Sequence, residues 1–144
     1  MSQALAPARA AGQAPSALAQ ALLRELADML AALASDPGCE AVIDLRSLPM
    51  EESDREALRD WLGRGEIEAN CDVAGVSRVQ ETGFAGVWWV SHYGLGGVAL
   101  VEQIVVARVP ALLLAHPCDI RAAQERLTQC LAQVGCAARE THLR

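Results

Sequence analysis

The chain contains no lysine. All 12 of its basic residues are arginines, set against 18 acidic ones for a formal net charge of −6 over 144 residues. A nucleic-acid binder needs a basic footprint to displace counterions from phosphates, and this balance argues against one. The missing lysine reflects genome composition and carries no functional weight. Aromatic residues are also scarce, at 3% of the chain with a single Phe and a single Tyr. The 5 cysteines, Cys39, Cys71, Cys118, Cys130 and Cys136, include no C-x-x-C pair. Their odd number fits reduced thiols in a cytoplasmic protein better than a secreted disulfide framework. The N-terminus lacks the basic patch and apolar segment of a secretory signal. The run most like a membrane span, Val98 to Ala115, is broken by Glu102, Arg108 and Pro110, so it reads as a buried strand.

What is present concentrates in Glu81 to His92, Glu-Thr-Gly-Phe-Ala-Gly-Val-Trp-Trp-Val-Ser-His, which holds the only Phe and 2 of the 3 tryptophans. β-Branched and aromatic residues from Val87 to Val90 suit a pleated surface and predict a strand. Gly83 and Gly86 predict a turn or bulge before it. Gly94-Leu95-Gly96-Gly97 predicts a hairpin turn into a returning strand over Val98 to Val109. The glycine-rich turn is not a phosphate cradle, because a strand and not a helix N-terminus follows it.

The expected order around this hairpin is helix, strand, helix, a run of strands, helix, which makes an α+β domain with a mainly antiparallel sheet. Leucines at Leu18, Leu22, Leu26, Leu30 and Leu33 predict a helix over 16–35. Ala41-Val42-Ile43 reads as a short buried strand. Acidic Glu51, Glu52 and Asp54 mark the start of a helix over 51–62 with Leu58, Trp61 and Leu62 inward. Glu66 to Val73 alternates as a half-buried strand, and Ser77 to Thr82 forms another. Ile120, Ala123, Leu127, Leu131 and Val134 stripe a last helix that Gly135 is expected to stop. A single domain over 15–135 is expected, flanked by a flexible tail at 1–14 and a short one at 136–144.

Strand parity separates the tryptophans, because neighbours on a strand face opposite ways. Trp88 shares a face with Val90, Val101, Val105 and Ala107, and Trp89 shares the other with Tyr93, Leu100, Glu102, Ile104 and Arg108. The first set is uncharged and is placed inward. The second face is either packed within the chain or serves as a partner or dimer surface. Ser91 and His92 cannot pair as nucleophile and base, since they too face apart. Glu66, Glu68 and Asp72 read as a solvated face, and no catalytic or nucleotide-binding signature occurs. Cys118, Cys130 and Cys136 are the candidates for a metal site, without the tight paired spacing of structural zinc.

Gly63-Arg64-Gly65-Glu66, then Glu81-Thr82-x-Phe84-x-Gly86-Val87-Trp88-Trp89-Val90-x-His92, then Val109-Pro110 and Asp119-Ile120, resembles the hydrogenase expression/formation proteins of the HupH/HyaF type, over about Ile43 to the last helix. Relatives are commonly longer, and this segment resembles their C-terminal region. The resemblance implies a non-catalytic, chaperone-like accessory role in building a [NiFe] hydrogenase. The implied partners are a hydrogenase subunit precursor or another maturation protein, in the cytoplasm, without a cofactor, nucleic acid or membrane, and with a homodimer open. It carries no established catalytic or ligand residues. The expected recognition surface is therefore the face of Trp89, Tyr93, Leu100 and Ile104, with Glu66 and Glu81 at its rim. The alternative is a small metal or iron–sulfur carrier using Cys118, Cys130 and Cys136.

Overall fold

The computed structural model describes residues 14–72 and 75–142. Apart from Ala14, the segment expected as an N-terminal tail lies outside the described residues. The chain parts into two compact units after Pro110. The first holds helix α1 (Ala17–Ser35), strand β1 (Ala41–Asp44), helix α2 (Glu52–Leu62) and strands β2 (Glu68–Asp72), β3 (Val76–Glu81), β4 (Val87–Tyr93) and β5 (Ala99–Val106). The second holds a short 3-10 turn at Ala111–Leu113 and helix α3 (Pro117–His142).

The helices start where local chemistry satisfies their free amides. The Ser16 hydroxyl accepts from the Ala19 amide at 3.2 Å at the head of α1. At the head of α2, the Glu51 amide donates to the Asp54 carboxylate at 3.3 Å. The five strands form one antiparallel sheet in the order β1-β5-β4-β3-β2. The tryptophan-bearing β4 is its central strand. Its hairpin with β5 closes through the Gly94 amide donating to the Val98 carbonyl at 3.0 Å.

The core lies on the sheet face that α1 and α2 cover. Leu22, Leu26 and Leu33 from α1 and Leu58 and Leu62 from α2 pack with Ile43, Val87, Trp89, Ile104 and Val106. Trp89 stands opposite Ile104 and Trp88 opposite Val105, so parity divides the doublet as the alternation predicts. The assignment of faces is reversed. Trp89, only 5% exposed, is inside the helix-covered core, while Trp88, at 4%, packs on the opposite face beside buried Val79, Val90 and Val105. Sequence reasoning turned Trp89 outward because Glu102 shares its face. The fold instead buries that carboxylate and neutralises it, which a burial rule based on formal charge alone overlooks.

Three further expectations change. β1 is an edge strand, with Val42 exposed, so its short apolar run signals one packed face and not burial on both. Strand β2 starts at Glu68, so Ile67, within the stretch expected to alternate as a half-buried strand, lies before it and is 51% exposed. Helix α3 runs through Gly135 to His142, because one glycine costs a helix only about 1 kcal/mol and good helix formers follow it. Among the described residues no helix is long and apolar enough to cross a membrane.

Candidate partner-recognition site

The charged centre of the first unit is Glu102 on β5, whose side chain is 8% exposed. Three donors hold it. The Trp89 indole Nε1–H donates to Glu102 Oε1 at 3.1 Å. Arg55 Nη1 lies 3.2 Å from Oε2, and Arg59 Nη2 lies 3.6 Å from Oε1. The guanidinium of Arg59 also stands 4.7 Å above the Trp89 ring centroid, in range of cation–π attraction. Arg55 and Arg59 are four apart on α2, which puts both on one helical face above the sheet. A carboxylate this buried would be costly alone, and the three contacts offset the cost while fixing the Trp89 ring and the Arg59 fork.

Beside this cluster lies a cleft of about 300 Å³, lined by Arg59, Asp60, Arg64, Gln80, Thr82 and Trp89, with Gly63 at its edge. Its wall is built by the chain leaving α2. Gly63 caps the helix at φ 67°, a left-handed conformation that an L side chain rarely adopts. Gly65 then runs so close to β3 that a Cβ there would sit 2.6 Å from the Thr82 carbonyl oxygen. Its amide donates to the Glu81 carbonyl at 2.8 Å, and the Gly83 amide donates to the Leu62 carbonyl at 2.8 Å. This stitching holds Arg64 over β3, where Nη2 donates to Gln80 Oε1 at 3.3 Å. The two stretches that carry the family resemblance, one at Gly63 to Glu66 and the other at Glu81 to His92, thus meet at a single place.

The expected surface residues do not form one patch. Ile104, at 0% exposure, belongs wholly to the core, and Trp89, at 5%, shows only the edge of the ring that lines the cleft. Tyr93 is half-buried at the end of β4, and Leu100, 58% exposed, lies against the Gly94 turn. Glu66 is exposed in the loop before β2, and Glu81 is half-buried at the end of β3 beside Gly65. Cys118, Cys130 and Cys136 are free and exposed along α3. The rise from 118 to 130 is roughly 18 Å, too far for one ion to bridge within a helix. Among the described residues no three His, Cys, Asp or Glu side chains are grouped to hold a metal. His92 is tied across strands to the Ser77 hydroxyl at 2.7 Å, not to Ser91.

Arg55, Arg59 and Gln80 were missed by sequence reasoning. The available signal was the buried-face position of Glu102 together with two arginines at helical spacing on a facing helix.

The fold and the cleft define an antiparallel α+β domain whose polar centre is a tryptophan–glutamate–arginine cluster. Residues 17–134 match the C-terminal conserved region of the HupH hydrogenase expression proteins, and the chain belongs to this family. It is 30% identical over 107 residues to the hydrogenase expression/formation protein HupH of Rhizobium leguminosarum bv. viciae, covering 74% of this chain and 37% of that protein. Against HupQ of Azotobacter chroococcum mcd 1 it is 37% identical over 97 residues, covering 67% and 33%. The solved structure of the hydrogenase expression protein HupH from Thiobacillus denitrificans ATCC 25259 superposes with a TM-score of 0.78 at 38% identity, covering 83% of this chain and 99% of that one. The chain spans well under half the length of these curated relatives.

Proposed function

We propose that this protein is a non-catalytic, chaperone-like accessory factor of [NiFe] hydrogenase maturation that acts in the cytoplasm by binding a hydrogenase subunit precursor or another maturation protein. The observation that carries the reading is the family match over 17–134, to proteins named for hydrogenase expression and formation. Two physical features support it. The polar groups at the centre of the fold are locked in ion pairs and ring contacts, an arrangement suited to shaping a surface rather than to moving protons. Exposed apolar side chains stand at the hairpin tip, where Leu95, Val98 and Leu100 project, and along α3. Such patches are typical of protein-binding surfaces.

The test is deletion of the gene in a host that makes a [NiFe] hydrogenase, combined with capture by the tagged full chain. The expected result is a loss of hydrogenase activity that plasmid-borne protein restores, together with co-purification of a hydrogenase subunit or maturation factor. Unchanged hydrogenase activity and no captured hydrogenase component would overturn the reading.

A further inference from the structure

We propose that the cleft between the end of α2 and strands β3 and β4 is a carboxylate-binding site, whose ligand is an acidic side chain on an assembly partner. The choice of source rests on the function proposed above, whereas the ligand chemistry follows from an inventory of the cleft's donors and acceptors.

The groups already spent come first. The Trp89 indole N–H is given to Glu102, so that residue offers the cleft only its ring. The Thr82 hydroxyl accepts from the Phe84 amide and donates to the Phe84 carbonyl, both at 3.2 Å, so its only proton is spent and it offers the cleft no donor. Two of the backbone acceptors at the end of α2 are also engaged, the Arg59 carbonyl by the Gly63 amide and the Leu62 carbonyl by the Gly83 amide. That muting matters, because free carbonyls at a helix C-terminus repel an anion.

The unspent groups are donors. A guanidinium has five N–H groups in a fixed fork. Among the described residues Arg59 gives one edge to Glu102 at 3.6 Å and its face to the Trp89 ring, and its side chain is 50% exposed. Arg64 uses one nitrogen on Gln80 Oε1. Because that oxygen is taken, the Gln80 amide presents its NH2. Two guanidinium forks and an amide donor therefore face a space whose one charged acceptor is Asp60. A cleft rich in donors and poor in acceptors selects an oxyanion.

Charge decides which oxyanion. Among the groups that line the cleft, Arg59 and Arg64 bring two positive charges and Asp60 one negative, while behind Arg59 the buried Glu102 shares Arg55 with the exposed Glu52. The excess is a single positive charge, which matches a carboxylate better than a doubly charged phosphate. The planar fork of arginine also complements a carboxylate in two parallel hydrogen bonds. Arg59 is held in place before any ligand arrives, by Trp89 below and Glu102 behind, so little freedom is lost on binding.

The test titrates the full chain, labelled for NMR, with three probes: an end-blocked peptide containing one glutamate, its glutamine counterpart, and acetate. Saturable shifts of the Gln80 side-chain amide and the Arg64 Nε–H with the glutamate peptide, absent with the glutamine peptide, are expected. Arg64→Gln, which changes an exposed side chain, should weaken the glutamate peptide about tenfold, as loss of one charge-assisted hydrogen bond does. Acetate saturating as tightly as the peptide would retain the carboxylate chemistry and replace the partner side chain by a small free acid. No shift at Gln80 or Arg64 with the glutamate peptide or acetate, or equal binding of the glutamine peptide, overturns the site. Capture of hydrogenase components by Arg64→Gln keeps the two proposals apart. Normal capture with lost peptide binding leaves the assembly role standing and removes the cleft from it.

Discussion

Helices α1 and α3 look alike as sequences. Each carries leucines at steps of three and four with arginine and acid on the other side. In the structure they differ completely. Leu22, Leu26 and Leu33 of α1 are 4%, 3% and 9% exposed, whereas Leu127, Leu131 and Val134 of α3 are 63%, 64% and 65% exposed. Apolar periodicity reports that a helix has a face needing cover and says nothing of what provides the cover. For α1 the cover is a sheet of its own chain. For α3 its own unit supplies no cover, and side chains of equal hydrophobicity make unequal contributions to stability.

Substitutions on the two sides of this contrast should differ by several kcal/mol. The largest effect belongs to the sheet beneath α1. Trp89→Ala should cost about 3–5 kcal/mol, the range for a buried aromatic, and Trp88→Ala a similar amount, read from denaturant melts of both. A Trp89 variant as stable as the parent would show that the helix-covered face is not the core. Next come Leu26→Ala and Leu58→Ala, each about 2–5 kcal/mol through lost burial and a residual cavity. Glu102→Ala should follow at about 3 kcal/mol, the low end for breaking a buried pair, because Arg55 and Arg59 keep some contact with water. Leu127→Ala should sit at the bottom, within about 0.5 kcal/mol, as for an exposed position. If Leu127→Ala instead melts like Leu26→Ala in a concentration-dependent way, a second copy covers the stripe, and sedimentation of the same variant decides it.

The same contrast explains which parts of the fold were legible. The three helices, strands β2 to β5 and the division of the hairpin into two faces follow from period and turn chemistry, which act within a few residues, whereas the bulge between His92 and Tyr93 that sets the hairpin's register does not. The pairing of Trp89 with Ile104 on one face was legible for that reason. Which face turns inward depended on whether Glu102 could be neutralised, and its partners Arg55 and Arg59 lie on α2, more than 40 residues earlier in the chain. No local pattern announces such a pair. The cleft was half legible. Arg64, Thr82 and Trp89 lie in the stretches that carry the resemblance, but Arg59 and Gln80 join them only through the stitching of Gly65 and Gly83 onto neighbouring backbone.

The place of β4 in the middle of the sheet has a consequence for how the molecule opens. Its amides and carbonyls are bonded to a strand on each side, whereas β1 and β2 each have one neighbour and one open edge. Local unfolding takes the edges first, since fewer bonds and less buried surface are lost there. In hydrogen–deuterium exchange, the amides of Val87 to Ser91 should therefore be among the last to exchange and those of the edge strands among the first. The wall of the cleft that Trp89 provides then outlasts the excursions of the sheet's margins, so the rigid part of the molecule is also the part with which a partner's carboxylate would register.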